Sequence, residues 1–234
     1  MLASGFPVTA RIGLFAFLLA AGLGVPLGAL AAVRRGALDR AVSTGATFVY
    51  SFPSIVLAIL LYVFSVRTVS AFDVFDVGFQ NGGGWRAYLL PVVVLGLGAA
   101  GYLTRVTRAA VLAMLGQDYV RTARAKGVPR GAIVRRHVLP NALPMVLAAL
   151  GPTLGILLSG SALLEFVLNI PGTGKLLLTG FAWRDYPLIL AGVSLYTALI
   201  LVSNLLADFA AYLVNVLARS ASPLGMAGEA RTGE

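Results

Sequence analysis

Five apolar runs, each long enough to cross a lipid bilayer, constrain this chain more than any motif in it. A spanning helix needs about 20 mainly apolar residues, because the hydrocarbon core is about 30 Å thick and a helix rises about 1.5 Å per residue. Residues 12–33 and 41–66 qualify without one charged side chain. Residues 87–104, 142–164 and 186–217 qualify too, the last with Asp208 near its end. Spanning strands would be about 10 residues long with clear alternation, whereas these runs are longer and apolar on every side. The expected fold is all-α and integral to the membrane. Composition agrees: 59% of the residues are hydrophobic and only 12% charged, against about 25% charged in a soluble domain. That excludes a soluble enzyme and a disordered chain alike. With no cysteine and the single histidine His137, neither disulfides nor a metal centre is expected.

Residues 12–33 have a competing reading as a secretory signal, since Arg11 precedes them and Ala29-Leu30-Ala31 resembles a cleavage site. A signal's apolar region is about 7–15 residues, shorter than this run, and Arg34-Arg35 suits a stop at the cytoplasmic face, so a retained helix is expected. Lys and Arg near span ends resist translocation and set topology. Arg34, Arg35 and Arg40 follow the first run, eight basic residues from Arg105 to Arg136 follow the third, and Arg219 and Arg231 lie near the C-terminus. One side thus holds 13 of the 18 basic residues. The expected topology is N-terminus out, C-terminus in, at the plasma (inner) membrane. The formal charge of +9 is a topology signal, and nucleic acid is not an expected partner.

Several motifs fail on context. Gly96-Leu97-Gly98-Ala99-Ala100-Gly101 fits G-x-G-x-x-G, yet that fingerprint has meaning only between a strand and a helix. Small residues in an apolar run instead let membrane helices approach closely, as Gly24 and Gly28 would also do. Pro171-Gly172-Thr173-Gly174-Lys175 resembles a phosphate loop, but Asn169 stands where its first glycine belongs and Leu176 follows the lysine. Ser159 and Ser161 have no histidine partner by pattern, and paired catalytic carboxylates are absent. Enzymatic activity is not expected.

The third loop is too patterned to be a mere connector. Tyr119 to Lys126 are good helix formers with basic residues at 121, 124 and 126. Gly127 can end a helix in the left-handed conformation, Val128-Pro129 restarts one, and Arg130 to Val138 forms a second short helix before Leu139-Pro140. A helix, a glycine corner and a second helix make a rigid knob.

Here the sequence resembles the EAA loop of binding-protein-dependent ABC importer permeases, whose pattern is E-A-A, three residues, G, nine residues, I-x-L-P. Arg121-Thr122-Ala123 stand at E-A-A, Gly127 follows at the right distance, and His137, Leu139 and Pro140 take the I-x-L-P positions. Arg for Glu and His for Ile depart from the pattern. The fuller run Gln117 to Gly127 is similar to the dipeptide/oligopeptide/nickel branch. So are Arg34-Arg35-Gly36 with Asp39-Arg40, Leu103-Thr104-Arg105 with Thr107-Arg108, Pro171-Gly172 with Gly174, Arg184-Asp185-Tyr186-Pro187, and Asn204-Leu205 with Asp208. The resemblance spans residues 8–215, expected to be one permease domain, with 218–234 a polar tail. Members of this branch usually carry a further membrane helix and an extracytoplasmic segment ahead of the five-helix core, and end in Asp-Pro-Arg where this chain has Val214-Asn215-Val216.

The resemblance implies one of two permease subunits that form a pore, with a paralogous heterodimer partner, two ATPase subunits beneath and a solute-binding protein outside, all around a lipid-embedded core. ATP and Mg would sit on the partner subunits and no cofactor on this chain. The solute would be a di- or oligopeptide, or nickel, moved by alternating access. It further implies that Tyr119, Arg121, Thr122, Ala123, Arg124, Lys126, Gly127, Leu139 and Pro140 couple to the ATPase. Thr44, Thr47, Ser51 and Ser54 recur at helical spacing on the second run, where Pro53 is placed to kink it, and are the candidate pore lining. Such hydroxyls also bond the backbone or a neighbouring helix. Asp208 and Glu165 are candidates as acids in apolar surroundings, both expected near span ends. An ATP-independent channel or secondary transporter is the alternative, and would call for hydropathy repeats or mid-span charges.

Overall fold

The computed structural model describes residues 2–68, 84–159 and 162–220. Ser161, Arg231 and the tail from residue 221 lie outside the described residues. Among those described there is no strand. Ten helices follow in order: α1 Leu2–Val33, α2 Ala37–Ser51, α3 Ser54–Thr68, α4 Trp85–Leu115, α5 Asp118–Ala125, α6 Arg130–Ile133, α7 Leu139–Leu158, α8 Ala162–Val167, α9 Thr173–Trp183 and α10 Tyr186–Ser220. A five-residue π-helical turn, Val134–Val138, joins α6 to α7.

Helix α1 is the central post, touching α2, α4, α7 and α9. It starts ten residues before the uncharged run, because a helix continues past the hydrocarbon wherever a long side chain can reach polar surroundings. Arg11 does so, donating to the Tyr88 hydroxyl at 3.4 Å. A ladder of small residues sets its spacing to the neighbours. A Cβ at Gly13 would overlap the Leu157 carbonyl of α7, and one at Gly24 or Gly28 the Ala100 or Thr104 carbonyl of α4. In the G-x-G-x-x-G run, Gly96 and Gly101 are close-approach points against α1 and α2, whereas Gly98 faces open space.

The second run bends far more sharply than a proline kink. It breaks between α2 and α3, which meet at 90°. Phe52 is extended, with φ −79 and ψ 124, because the residue before a proline is driven out of the helical region. Pro53 itself has no N–H to continue the ladder. The membrane-length set is therefore α1, α4, the segment containing α7, and α10, and the bent α2–α3 pair makes five when counted as one span.

Helix α7 is described to Leu158, and α8 and α9 are the short helices after it. Glu165 is buried, 1% exposed. Its Oε2 accepts from the backbone N–H groups of Gly174 at 2.7 Å and Lys175 at 3.3 Å, which have no partner within their own helix. Thr173 donates through N and Oγ1 to Thr9 Oγ1 at 2.9 and 3.0 Å. The sequence that resembles a phosphate loop is thus the start of α9, stitched to α1 and α8. The Arg-Asp-Tyr-Pro piece is a joint of the same kind. Arg184 stops α9 with a positive φ of 56, and Asp185 Oδ1 caps α10 by accepting from Leu188 N at 3.1 Å.

Candidate functional site

The third loop forms the knob that its residues prescribe. Lys126 N donates to Thr122 O at 3.1 Å, Gly127 N to Arg124 O at 3.0 Å and Val128 N to Ala123 O at 3.1 Å. The last two bonds are the pair that closes a helix through a left-handed residue, and Gly127 supplies it with φ +75. Pro129 then caps α6. Arg121, Thr122, Arg124, Lys126 and Gly127 are exposed, as is Pro140. Tyr119 is 38% exposed, and its hydroxyl accepts from Asn141 Nδ2 at 3.3 Å.

Beneath this polar surface lies an anchor that sequence reasoning missed. Val120, Ile133, Val134 and Val138 are buried. Val120, Ile133 and Val138 join Ala32 of α1, Ala110 and Val111 of α4 and Ala142 and Val146 of α7 in one cluster, with Ala123, Val128 and Leu139 packed against it. Ala123 and Leu139 are thus inward-facing members of the coupling set. The signal for the anchor was the apolar spacing 120, 133–134, 138, split across the glycine corner. Arg130 adds a polar strap, its Nη2 donating to Val33 O at 2.9 Å. The knob and the ends of three long helices thus share one apolar cluster.

A second feature is a cavity of about 610 Å³ at the α2–α3 break. Tyr50, Ser54, Tyr102, Thr153 and Ile156 are among its walls, so α2, α3, α4 and α7 all contribute. Of the candidate pore residues, only Ser54 lines it. Thr44, Thr47 and Ser51 are exposed on α2 and are not among its walls. The α2 helix is held by Arg108 of α4, whose Nε and Nη2 donate to the two Asp39 oxygens at 2.6 and 2.8 Å. The Arg105 guanidinium lies 5.7 Å from the centre of the Tyr50 ring.

Asp208 is exposed, and the register of α10 against α7 sets its depth. Gly151 of α7 sits against Ser203, Asn204 and Ala207, and Gly155 against Ile200. The helices run antiparallel, so Asp208 lies level with the turn before Gly151. That is about ten residues, or about 15 Å, inside the start of α7. Asp208 lies eight residues before the end of the candidate span Tyr186–Val216.

Comparison with known proteins gives a consistent result. The sequence model of the family described as binding-protein-dependent transport system inner membrane component matches residues 24–219. A putative peptide permease protein of Brucella suis biovar 1 is 38% identical over 222 residues, covering 87% of this chain and 67% of the relative. The dipeptide transport system permease protein DppB of Bacillus subtilis is 34% identical, covering 90% and 67%. The oligopeptide transport system permease protein OppB of Salmonella typhimurium is 36% identical, covering 85% and 64%. In fold, the chain resembles a chain of the MetNI methionine ABC transporter in an inward-facing conformation, with a TM-score of 0.70 at 24% identity, covering 92% of this chain and 96% of that one.

Proposed function

Because the chain belongs to the binding-protein-dependent transport system inner membrane component family, and so is a multi-pass permease subunit of an ABC importer that works with a separate ATPase and a solute-binding protein, we propose that it imports di- or oligopeptides and is driven through the knob around Gly127. The names of the relatives support the peptide substrate. The single observation that carries the drive mechanism is the knob's anchorage: its exposed face is polar and basic, while its buried face is continuous with α1, α4 and α7. An ATPase that grips Arg121, Thr122, Arg124, Lys126 and Gly127 moves three long helices with it. Tyr119, Ala123, Leu139 and Pro140 hold that grip in place. Allosteric coupling of this sort needs an element with two arrangements that both sites bias, and the knob transmits such a bias without bending.

The basic knob faces the cytoplasm in this reading, giving N-terminus out and C-terminus in at the prokaryotic inner membrane. ATP and Mg belong to the ATPase, and this chain holds no cofactor. A second, paralogous permease completes the pore, with the cavity beside Ser54 as this subunit's share of the pathway. The test is Gly127→Asp in the complete importer, reconstituted with binding protein and ATPase. Peptide uptake is expected to fall while the complex still assembles. Uptake and ATP hydrolysis at the unaltered level would sink the proposal.

A further inference from the structure

Asp208 is a carboxylate in the wrong place for a lipid-facing helix. A charged side chain deep in a bilayer is costly, and such residues face a bundle interior or water. Yet Asp208 is exposed on this subunit, and among the described residues no ion pair involves it. Something outside the chain must meet it.

The two sides of α10 differ in chemistry. About 100° per residue puts Leu199, Val202, Leu206, Phe209 and Leu213 on one side, a surface fit for lipid. The other side carries Thr197, Asn204, Asp208 and Asn215, interspersed with the exposed Leu190 and Leu201. Asn204 Oδ1, one turn from Asp208, is buried with no hydrogen-bond partner.

The polar side has a definite direction. On α7, Gly151 and Gly155 meet α10, and the next quarter-turn of surface presents Ala148, Pro152 and Ile156, all exposed. On α10, Ile200, Ser203 and Ala207 meet α7, and the next quarter-turn presents Asn204 and Asp208. Because the helices are antiparallel, these equal rotations lead to the same side of the pair. Pro152 and Ile156 also line the cavity with Tyr50, Ser54 and Tyr102. The acid and the cavity therefore share one open face.

We propose that Asp208 lines the translocation pathway and receives the positively charged amino terminus of the passing peptide. The ligand rests on the peptide-import reading above; the placement does not. An exposed carboxylate offers two oxygen acceptors to an ammonium, which has three donors and no acceptor. An ammonium crossing the bilayer needs such a partner.

Two measurements on the complete importer in proteoliposomes test this. The chain has no native cysteine, so Asp208→Cys and Leu206→Cys each introduce one thiol into it. A charged, membrane-impermeant thiol reagent is expected to label this chain at Asp208→Cys and not at Leu206→Cys. Labelling at neither, or equally at both, overturns the placement. Separately, Asp208→Asn is expected to slow uptake of a dipeptide with a free amino terminus by about tenfold, the worth of one charge-assisted hydrogen bond. Uptake of the N-acetylated dipeptide is expected to change little, and Asp208→Glu to restore most of the loss. An equal loss for both peptides overturns the assignment, and so does separation of the two permease subunits in Asp208→Asn, which would mark an ion pair between them. A wild-type importer that carries no peptide removes the amino-terminus assignment, and the labelling result then still decides the placement.

Discussion

At Gly127 an added Cβ would meet nothing within 4 Å, so space does not explain the glycine; its φ of +75 does. A side chain there costs about 1–2 kcal/mol through its clash with the following carbonyl, least for Asn. Thermal unfolding in detergent is expected to rank wild type above Gly127→Asn, and Gly127→Asn above Gly127→Ala. Equal values for the two variants would show that backbone strain is not the constraint. Glu165 works at the opposite end of a helix. With Glu165→Ala, the buried N–H of Gly174 loses its acceptor, at about 1–3 kcal/mol, and the melting temperature should fall. An unchanged melting temperature would assign the stability of that joint elsewhere. Gly127 was legible in the sequence because a helix stop is a local event. Glu165 was legible only as an acid beside an apolar run, since the groups it serves arrive nine residues later, after a turn that no periodicity announces.

Elements were readable where one period persists and unreadable where tertiary contact ends them. The existence of α1, α4 and α10 follows from apolar length, although α1 begins ten residues before its run and α4 continues eleven past its own, to Leu115. Pro53 announced a kink, but the full 90° break also needs partners for the two halves. Asp39 with Arg108 supplies one of these, tying α2 to α4 across 69 positions. The pair is bidentate and partly buried, with side-chain exposures of 33% for Arg108 and 15% for Asp39. A double-mutant cycle on Asp39→Ala and Arg108→Ala is expected to give a favourable coupling, read as thermal stability. Additive effects of the two substitutions would mean that α2 is positioned by Gly101 and its contact with Ala46 rather than by charge. No pattern in the sequence could choose Arg108 over its neighbour Arg105, because the choice depends on which face of α4 meets α2.

At the scale of the whole molecule, the chain is a lever, and a lever can be separated from its handle. The exposed face of the knob and its buried anchor are chemically independent, one basic and one aliphatic, yet they share the same two short helices. Ile133, 2% exposed, stands under that face, in the apolar cluster of the anchor. Trimming it leaves every exposed contact group in place while loosening the joint between the knob and α1, α4 and α7. Ile133→Val removes one methyl, worth about 1 kcal/mol, and Ile133→Ala a larger volume, worth about 2–5 kcal/mol. In the reconstituted importer, co-purification of the ATPase should survive both substitutions, because the surface it grips is unaltered. The number of peptides carried per ATP hydrolysed should fall in order, wild type, Ile133→Val, Ile133→Ala, since a loosened joint absorbs motion that the helices would otherwise follow. Measured with labelled peptide and phosphate release in the same vesicles, a constant ratio across the series would mean that the motion reaches the pathway without passing through this anchor. Loss of the ATPase from the complex would instead show that the anchor shapes the gripping surface itself, and the division between lever and handle would fail.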